Sequence, residues 1–288
     1  MKLIRASVNV SEGTDLSVVE EVRKALMLNN EVELIDVNPD KDHNRTVYVY
    51  KGEPRCVLEA TKRLAKRAVE LIDMTKHKGS HPRLGAVDVV PFTMVQDVTT
   101  EEAVELIREF GKYLGSLGVP VYYYEDAATS PDRRSLVDVR RGQYEGLAER
   151  IKAGFLPDEG PKEFVPKYGA TVAGVRFPLV ALNVNLDTED IEIGKKIVKA
   201  IRGASGGYQN VRAIALPIPD EKAIQVSMNL IQYEKTPIHR VFETIKSEAA
   251  RYGVLVKKAE LGSLPLKALE ETVRFYLQAH DFTVDSIY

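Results

Sequence analysis

Residues 31–52 read EVELIDVNPDKDHNRTVYVYKG. Val32, Leu34 and Val37 alternate with polar residues, and Ile35 interrupts the alternation; Thr46 to Tyr50 are β-branched and aromatic. Two strands joined by a polar turn are the expectation. What stands on either side decides the fold. Upstream, LIRASVNV (3–10) is strand-like, and a helix follows with Thr14 or Asp15 as its cap and Val18, Val19, Val22 and Leu26 at helical spacing. Downstream, a second helix opens on Pro54, suited to a first turn, and runs to Met74 before the strand-like AVDVVPFTMV (86–95). The order is β-α-β-β-α-β, the split unit of a ferredoxin-like sandwich.

A helix over about 100–117 and the strand VPVYYYE (119–125) follow. Residues 126–168 are the least regular part. The pattern then restarts. FPLVALNVNL (177–186) reads as a strand, and the next helix has Asp187 or Thr188 as cap and Gly203 just past its end. VRAIALPIP and AIQVSMNLIQY form a hairpin around PDEK; a helix follows with Thr236 as cap, Pro237 at its start and Gly253 at its stop. VLVKKAEL is a strand and PLKALEETVRFYLQ a last helix. The expected fold class is α/β (α+β): two ferredoxin-like βαββαβ subdomains, 1–178 and 179–288, packed across a central groove.

Composition removes several function classes. The 288 residues carry 44% hydrophobic and 28% charged residues and a formal net charge of -2, so there is no basic footprint for nucleic acid. A single cysteine excludes an internal disulfide framework and suits a reducing cytoplasm. The N-terminus lacks a secretory h-region, and the apolar run 177–186 is too short to span a bilayer, so the expectation is a cytoplasmic protein without membrane partners.

The chemistry concentrates at HKGSHPRLG (77–85), which holds two of the five histidines. Gly79, Pro82 and Gly85 break regular structure and display His77, His81 and Arg83 on a turn. Three readings stay open. His81 is suited to general acid or base work. A His77/His81 metal pair needs a helix to align ligands four apart, which Gly79 and Pro82 oppose, and no third ligand lies at a recognised spacing. Either ring also fits a structural, hydrogen-bonded role.

In DVNPDKDHNRTVY (36–48), Asp, Asn and Pro are ordinary turn formers, while Arg45 opens a strand and suits an anionic ligand. SVNVSEG (7–13) is either a capped strand-to-helix turn or an anion-binding helix start; it has no GxGxxG. GPKEFVPKYGATVAG (160–174) reads as a loop whose Phe164 and Tyr168 offer either packing or a platform for a ring system. The Arg pairs 133–134 and 140–141 read as a solvated face. No GxSxG elbow supports a serine triad.

Taken together, VNVSEG (8–13), DVNPDKDHNRTVY (36–48), LIDMTKHKGSHPRLGAVDVVPF (71–92), VPVYYYEDAA (119–128), RRGQYEGL (140–147), GPKEFVPKYGATVAG (160–174), NVNL (183–186), QVSMNL (225–230) and GSLPLKALEETVRFYL (262–277) resemble the glutamate formiminotransferase family. The match runs in order along nearly the whole chain. The resemblance implies two ferredoxin-like subdomains, tetrahydrofolate as cosubstrate and transfer of the formimino group from N-formimino-L-glutamate to N5 of tetrahydrofolate. It makes His81 the catalytic acid/base. It makes Gly160, Pro161, Lys162, Glu163, Phe164, Val165, Pro166, Lys167, Tyr168 and Gly169 the folate-binding loop. Anionic substrates need cations, and Arg45 and Arg83, with Lys78, are the candidates. Asn44, Asn38, Asp36 and His77 complete the substrate-binding candidates. No metal is expected, and a homodimer is the default association.

Two positions depart from the family pattern. Where it has Asp-Val-Asp, this chain has Asp36-Val37-Asn38, so an acidic partner for His81 must be found elsewhere, with Asp36 and Asp88 as candidates. GASGGYQN (203–210) is shorter than the family's basic loop there. Vertebrate members continue into a cyclodeaminase domain; the sequence ending at Tyr288 carries the expectation of the transferase activity alone. Within the family, a 5-formyltetrahydrofolate-dependent glutamate formyltransferase or a cyclo-ligase-like enzyme is the alternative. Outside it, the alternative is a folate or small-molecule binding module.

Overall fold

The computed structural model describes residues 1–262 and 264–286; Ser263 of the GSLPLKALEETVRFYL segment, together with Ile287 and Tyr288, lies outside the described residues. The chain divides into two units, Met1–Arg176 and Phe177–Tyr288.

The first unit opens with β1 (Leu3–Val10), α1 (Leu16–Leu26), β2 (Glu33–Asp40), β3 (Arg45–Gly52), α2 (Pro54–Leu71) and β4 (Val87–Gln96). These strands lie in the order β2-β3-β1-β4, antiparallel throughout, which is the ferredoxin-like arrangement. Alternation explains the burial. Ile4, Ala6, Val8 and Val10 point into one core with Tyr48 and Tyr50 of β3, against Val19, Val22 and Leu26 of α1 and Leu64, Ala65 and Ala68 of α2. The two buried tyrosines keep their hydroxyls satisfied, Tyr48 donating to the Val19 carbonyl (2.9 Å) and Tyr50 sharing a hydrogen bond with Thr61 (2.5 Å).

The chain then extends this sheet with α3 (Thr100–Ser116), β5 (Val121–Glu125), α4 (Leu136–Val139), α5 (Gln143–Lys152) and β6 (Thr171–Arg176). β6 inserts between β4 and β5, parallel to both. This corrects the reading of 160–174 as loop throughout, because Thr171–Gly174 belong to β6. A parallel strand buried on both faces has no alternation to read, and Gly174 stands where a Cβ would meet the Tyr124 ring at 2.5 Å. α5 also escaped notice, since it buries only Leu147 and Ile151. With α4 it covers Val89, Tyr122, Tyr124 and Val172, an apolar cluster that stops at β4 and takes no residue from β1, β2 or β3.

The second unit repeats the topology with β7 (Val180–Leu186), α6 (Ile191–Ile201), β8 (Val211–Ile218), β9 (Ala223–Leu230), α7 (Ile238–Ala250) and β10 (Val256–Leu261), followed by α8 (Leu266–Leu277). Its sheet runs β10-β7-β9-β8, again antiparallel. Two expected caps are corrected. Asp190, not Asp187 or Thr188, caps α6, its carboxylate accepting the Glu192 N–H at 2.9 Å. Pro237 occupies the cap position of α7 without a side-chain bond, and Thr236 is buried. Among the described residues no helix is long and apolar enough to cross a membrane.

Candidate active site

The β2–β3 turn and the 77–81 turn interlock. Asn44, in the left-handed region at φ +47°, accepts from the Gly13 N–H (3.0 Å) and donates to the Lys78 carbonyl (2.8 Å). His77 Nε2 donates to the Asn44 carbonyl (2.9 Å), while its Nδ1 accepts from Arg83 Nε (3.3 Å). Both His77 nitrogens are thus used, and the ring is a brace between turns. The Ser80 hydroxyl donates to the Asp42 carbonyl (3.0 Å). Gly79 permits this closeness, since a Cβ there would lie 2.3 Å from the His43 carbonyl oxygen.

His81 is placed by this clamp. Arg45 donates to its Nε2 at 2.7 Å. A guanidinium only donates, so Nε2 is an acceptor and the ring is the neutral Nδ1–H tautomer. Nδ1 is buried and makes no well-formed hydrogen bond. Burial pushes the imidazole below its ordinary value and Arg45 pushes the same way; a Pro82 backbone contact opposes them, and Arg140 and His43 add smaller downward pushes. The neutral ring, the form a general base needs, therefore persists to lower pH than for a free histidine. Arg45 is itself half-buried, and its Nε has no hydrogen-bond partner among the described residues. Beyond Arg45, the His43 ring stands edge-on to His81, centroids 5.6 Å apart.

Arg83, Arg133 and Arg140 are already committed within the unit. Arg83 is 8% exposed and grips Glu145 through two nitrogens, at 3.0 and 2.5 Å. Asp88 is fully buried; it accepts the Leu84 N–H at 2.8 Å and pairs with Arg140. Burial pushes its carboxyl up, while Arg140 and the Leu84 N–H oppose this. The reading of 133–134 and 140–141 as a solvated face is corrected for half of its members. Arg140 neutralises Asp88 and Arg133 pairs with Asp158 at 2.7 Å, leaving Arg134 and Arg141 exposed. The available signal was Asp88 itself, an acid inside the apolar run AVDVVPF that demands a buried cation.

Asp36 and Asn38 lie on the exposed side of the edge strand β2, hydrogen-bonded to each other at 2.5 Å and not to His81. Asp88 is taken by Arg140. Neither candidate acid is therefore His81's hydrogen-bond partner. Lys78 is exposed. The strand-to-helix turn at 11–15 is filled by its own carboxylates: Glu12 accepts the Thr14 and Asp15 N–H groups (2.8 and 2.9 Å), and Asp15 accepts that of Ser17 (2.9 Å). The capped-turn reading describes it, and no donor row is left for an anion.

The 160–169 segment is pinned at both ends. Gly160 and Gly169 have positive φ, and Gly169 lies so close to the 84–85 backbone that a Cβ would be 2.1 Å from the Leu84 carbonyl oxygen. The Ala86 N–H donates to the Tyr168 carbonyl (2.9 Å) and the Ala170 N–H to that of Leu84 (3.0 Å). The segment's end is thus stitched to the strand that follows His81. Phe164 tilts against Tyr144 at 5.4 Å, and the Tyr144 hydroxyl donates to the Pro166 carbonyl at 2.7 Å. Lys162 bonds the Asp158 carbonyl (3.0 Å) and Lys167 lies over the Tyr168 ring (5.2 Å). Among the described residues no cluster is suited to hold a metal ion. Glu145 and Tyr144 are the neighbours that sequence reasoning missed, since α5 was not recognised.

Residues 3–176 match the formiminotransferase domain's N-terminal subdomain, and residues 181–286 match the formiminotransferase domain. The chain belongs to the formiminotransferase family. It is 44% identical to a glutamate formimidoyltransferase of Streptococcus pyogenes serotype M1, over 98% of this chain and 95% of that one. A glutamate formimidoyltransferase of Thermoplasma acidophilum is 43% identical, covering 100% and 96%. The formimidoyltransferase-cyclodeaminase of Mus musculus is 40% identical over 96% of this chain but only 52% of that longer protein. The formiminotransferase match spans both units, while every sequence-derived site residue lies in the first.

Proposed function

We propose that this chain transfers the formimino group from N-formimino-L-glutamate to N5 of tetrahydrofolate, as a step of histidine degradation that feeds one-carbon metabolism. The observation that carries the reading is the Arg45–His81 contact, on the turn that leads into residues 84–86, to which the 160–169 segment is hydrogen-bonded. Neutral His81 has one lone pair, at Nε2, and Arg45 occupies it. A substrate carboxylate outcompetes that neutral acceptor for the guanidinium, so the arriving donor draws Arg45 away and frees the base. His81 then takes the proton that N5 loses on attacking the amidine carbon. Gly160–Gly169 holds the folate, with Phe164 or Tyr168 against the pterin. Asn44 and His77 hold the turn that carries Arg45; Asp36, Asn38 and Lys78 face solvent at its margin. A cytoplasmic homodimer is the proposed setting, checked by sedimentation of the purified protein.

The test is turnover of N-formimino-L-glutamate with tetrahydrofolate, product identified by mass, in parallel with 5-formyltetrahydrofolate plus glutamate. The formimino donor is expected to react, and His81→Ala to lose at least about 100-fold in kcat while still binding folate. Reaction with the formyl donor alone replaces the carbon unit; failure of both donors overturns the enzyme reading.

A further inference from the structure

Formimino transfer needs a proton removed from one nitrogen and another delivered to the departing one. His81 starts neutral and is set as the remover, so a second group that starts protonated lets removal and delivery run together. Next to it lies a histidine with the opposite surroundings. His43 Nδ1 donates to the Asp40 carboxylate at 2.6 Å, and the His43 backbone N–H donates to the other carboxylate oxygen at 2.9 Å. Those two bonds hold the Asp40 carboxyl below its ordinary value, so an anion faces the ring. With Nδ1 engaged, Nε2 is the nitrogen left to exchange a proton, and the side chain is about half exposed (47%). The rings are perpendicular, with centroids 5.6 Å apart. Two nitrogens on one tetrahedral carbon can bridge that spacing with a hydrogen bond on either side.

We propose that His43, anchored by Asp40, is the general acid of this site, donating a proton from Nε2 to the glutamate nitrogen as the carbon–nitrogen bond breaks. This rests on the reaction proposed above. The balance closes: the N5 proton goes to His81, the His43 proton goes to glutamate, the bond's electron pair leaves on the glutamate nitrogen, and solvent returns a proton from His81 to His43. Opposite environments separate the two roles. Arg45 and, farther off, Arg140 face His81. Asp40 of β2 and His81 face His43. It also accounts for how the site works with Asn38, which cannot supply an acid.

The test is kcat against pH for the wild type, His43→Gln and Asp40→Asn, each shown to be folded by circular dichroism. The wild type is expected to give a bell. His43→Gln should lose at least about 10-fold in kcat and the basic limb of the bell, with KM little changed. Asp40→Asn should lower kcat less than His43→Gln does, with KM little changed, because the ring keeps its nitrogen and loses only the carboxylate that orients it. A bell preserved in His43→Gln with near-normal kcat overturns the inference while leaving the transferase reading intact. A wild type inactive with the formimino donor brings down that reading and this one with it.

Discussion

The two units carry the same strand order but differ at the corresponding hairpin. In the second unit, β8 and β9 are joined by residues 219–222, a tight turn closed by a Lys222 N–H bond to the Pro219 carbonyl at 3.0 Å. Its acid is absorbed locally: Glu221 accepts from Asn185 at 2.9 Å and from Lys258 at 2.6 Å. In the first unit, the β2–β3 turn reaches across to the 77–81 turn and leaves two buried donors, Arg45 Nε and His81 Nδ1, without a well-formed hydrogen bond among the described residues. One hairpin closes its hydrogen bonds; the other keeps some open. Topology is shared, and chemistry follows from which polar groups the packing leaves unsatisfied.

The comparison breaks most severely at buried charge. Arg140→Met should strand the fully buried Asp88 and cost about 3–5 kcal/mol in urea unfolding. Glu221→Ala, cut from the solvated network of the second unit, should move the same curve far less. Equal effects would remove the distinction.

Next come the glycines. Gly169→Ala combines a positive φ with a carbonyl 2.1 Å from the new Cβ, and should cost more than the roughly 1–2 kcal/mol of conformation alone. Gly206 of the second unit has a positive φ and open space around it, so Gly206→Ala should show the conformational cost only. Thermal unfolding separates them, and a larger loss at Gly206 would refute the stitched loop.

The smallest expected effect sharpens the contrast between two histidines. His81 is pushed down by burial and by Arg45; His239, stacked on Phe275 at 4.2 Å, is pushed down by burial alone. Arg45→Gln should raise the His81 midpoint toward the ordinary 6.5 and leave His239 where it is. Added salt should act in the same sense. Both rings favour the neutral form in the fold, so their stability contribution is present above 6.5 and is lost as pH falls through each lowered value. An unmoved His81 midpoint in an NMR titration would remove Arg45 from the causes of its shift.

Much of this was legible along the chain. The hairpin 31–52, the helices beside it and their repeat after residue 177 follow from periodicity, because alternation and helical spacing report one buried face each. β6 was not legible: a strand buried on both faces has no polar rhythm. Nor was α5, whose buried face is two residues wide. At the site, His81 and Arg45 were singled out by residue type and turn chemistry, but Arg83 and Arg140 were not readable, since an arginine looks alike in sequence whether it meets solvent or a buried carboxylate.

The sequence by itself determined the two βαββαβ units, the family and the turn on which His81 stands, because these depend on local pattern and on ordered motifs. Only the tertiary structure decided the division of labour among the polar groups. His77 became a brace, Arg83 and Arg140 were consumed by Glu145 and Asp88, and His43 came to rest between Asp40 and His81. Hydrogen bonds and charge pairs act over a few ångströms in space, and the partners lie up to 62 residues apart in the chain.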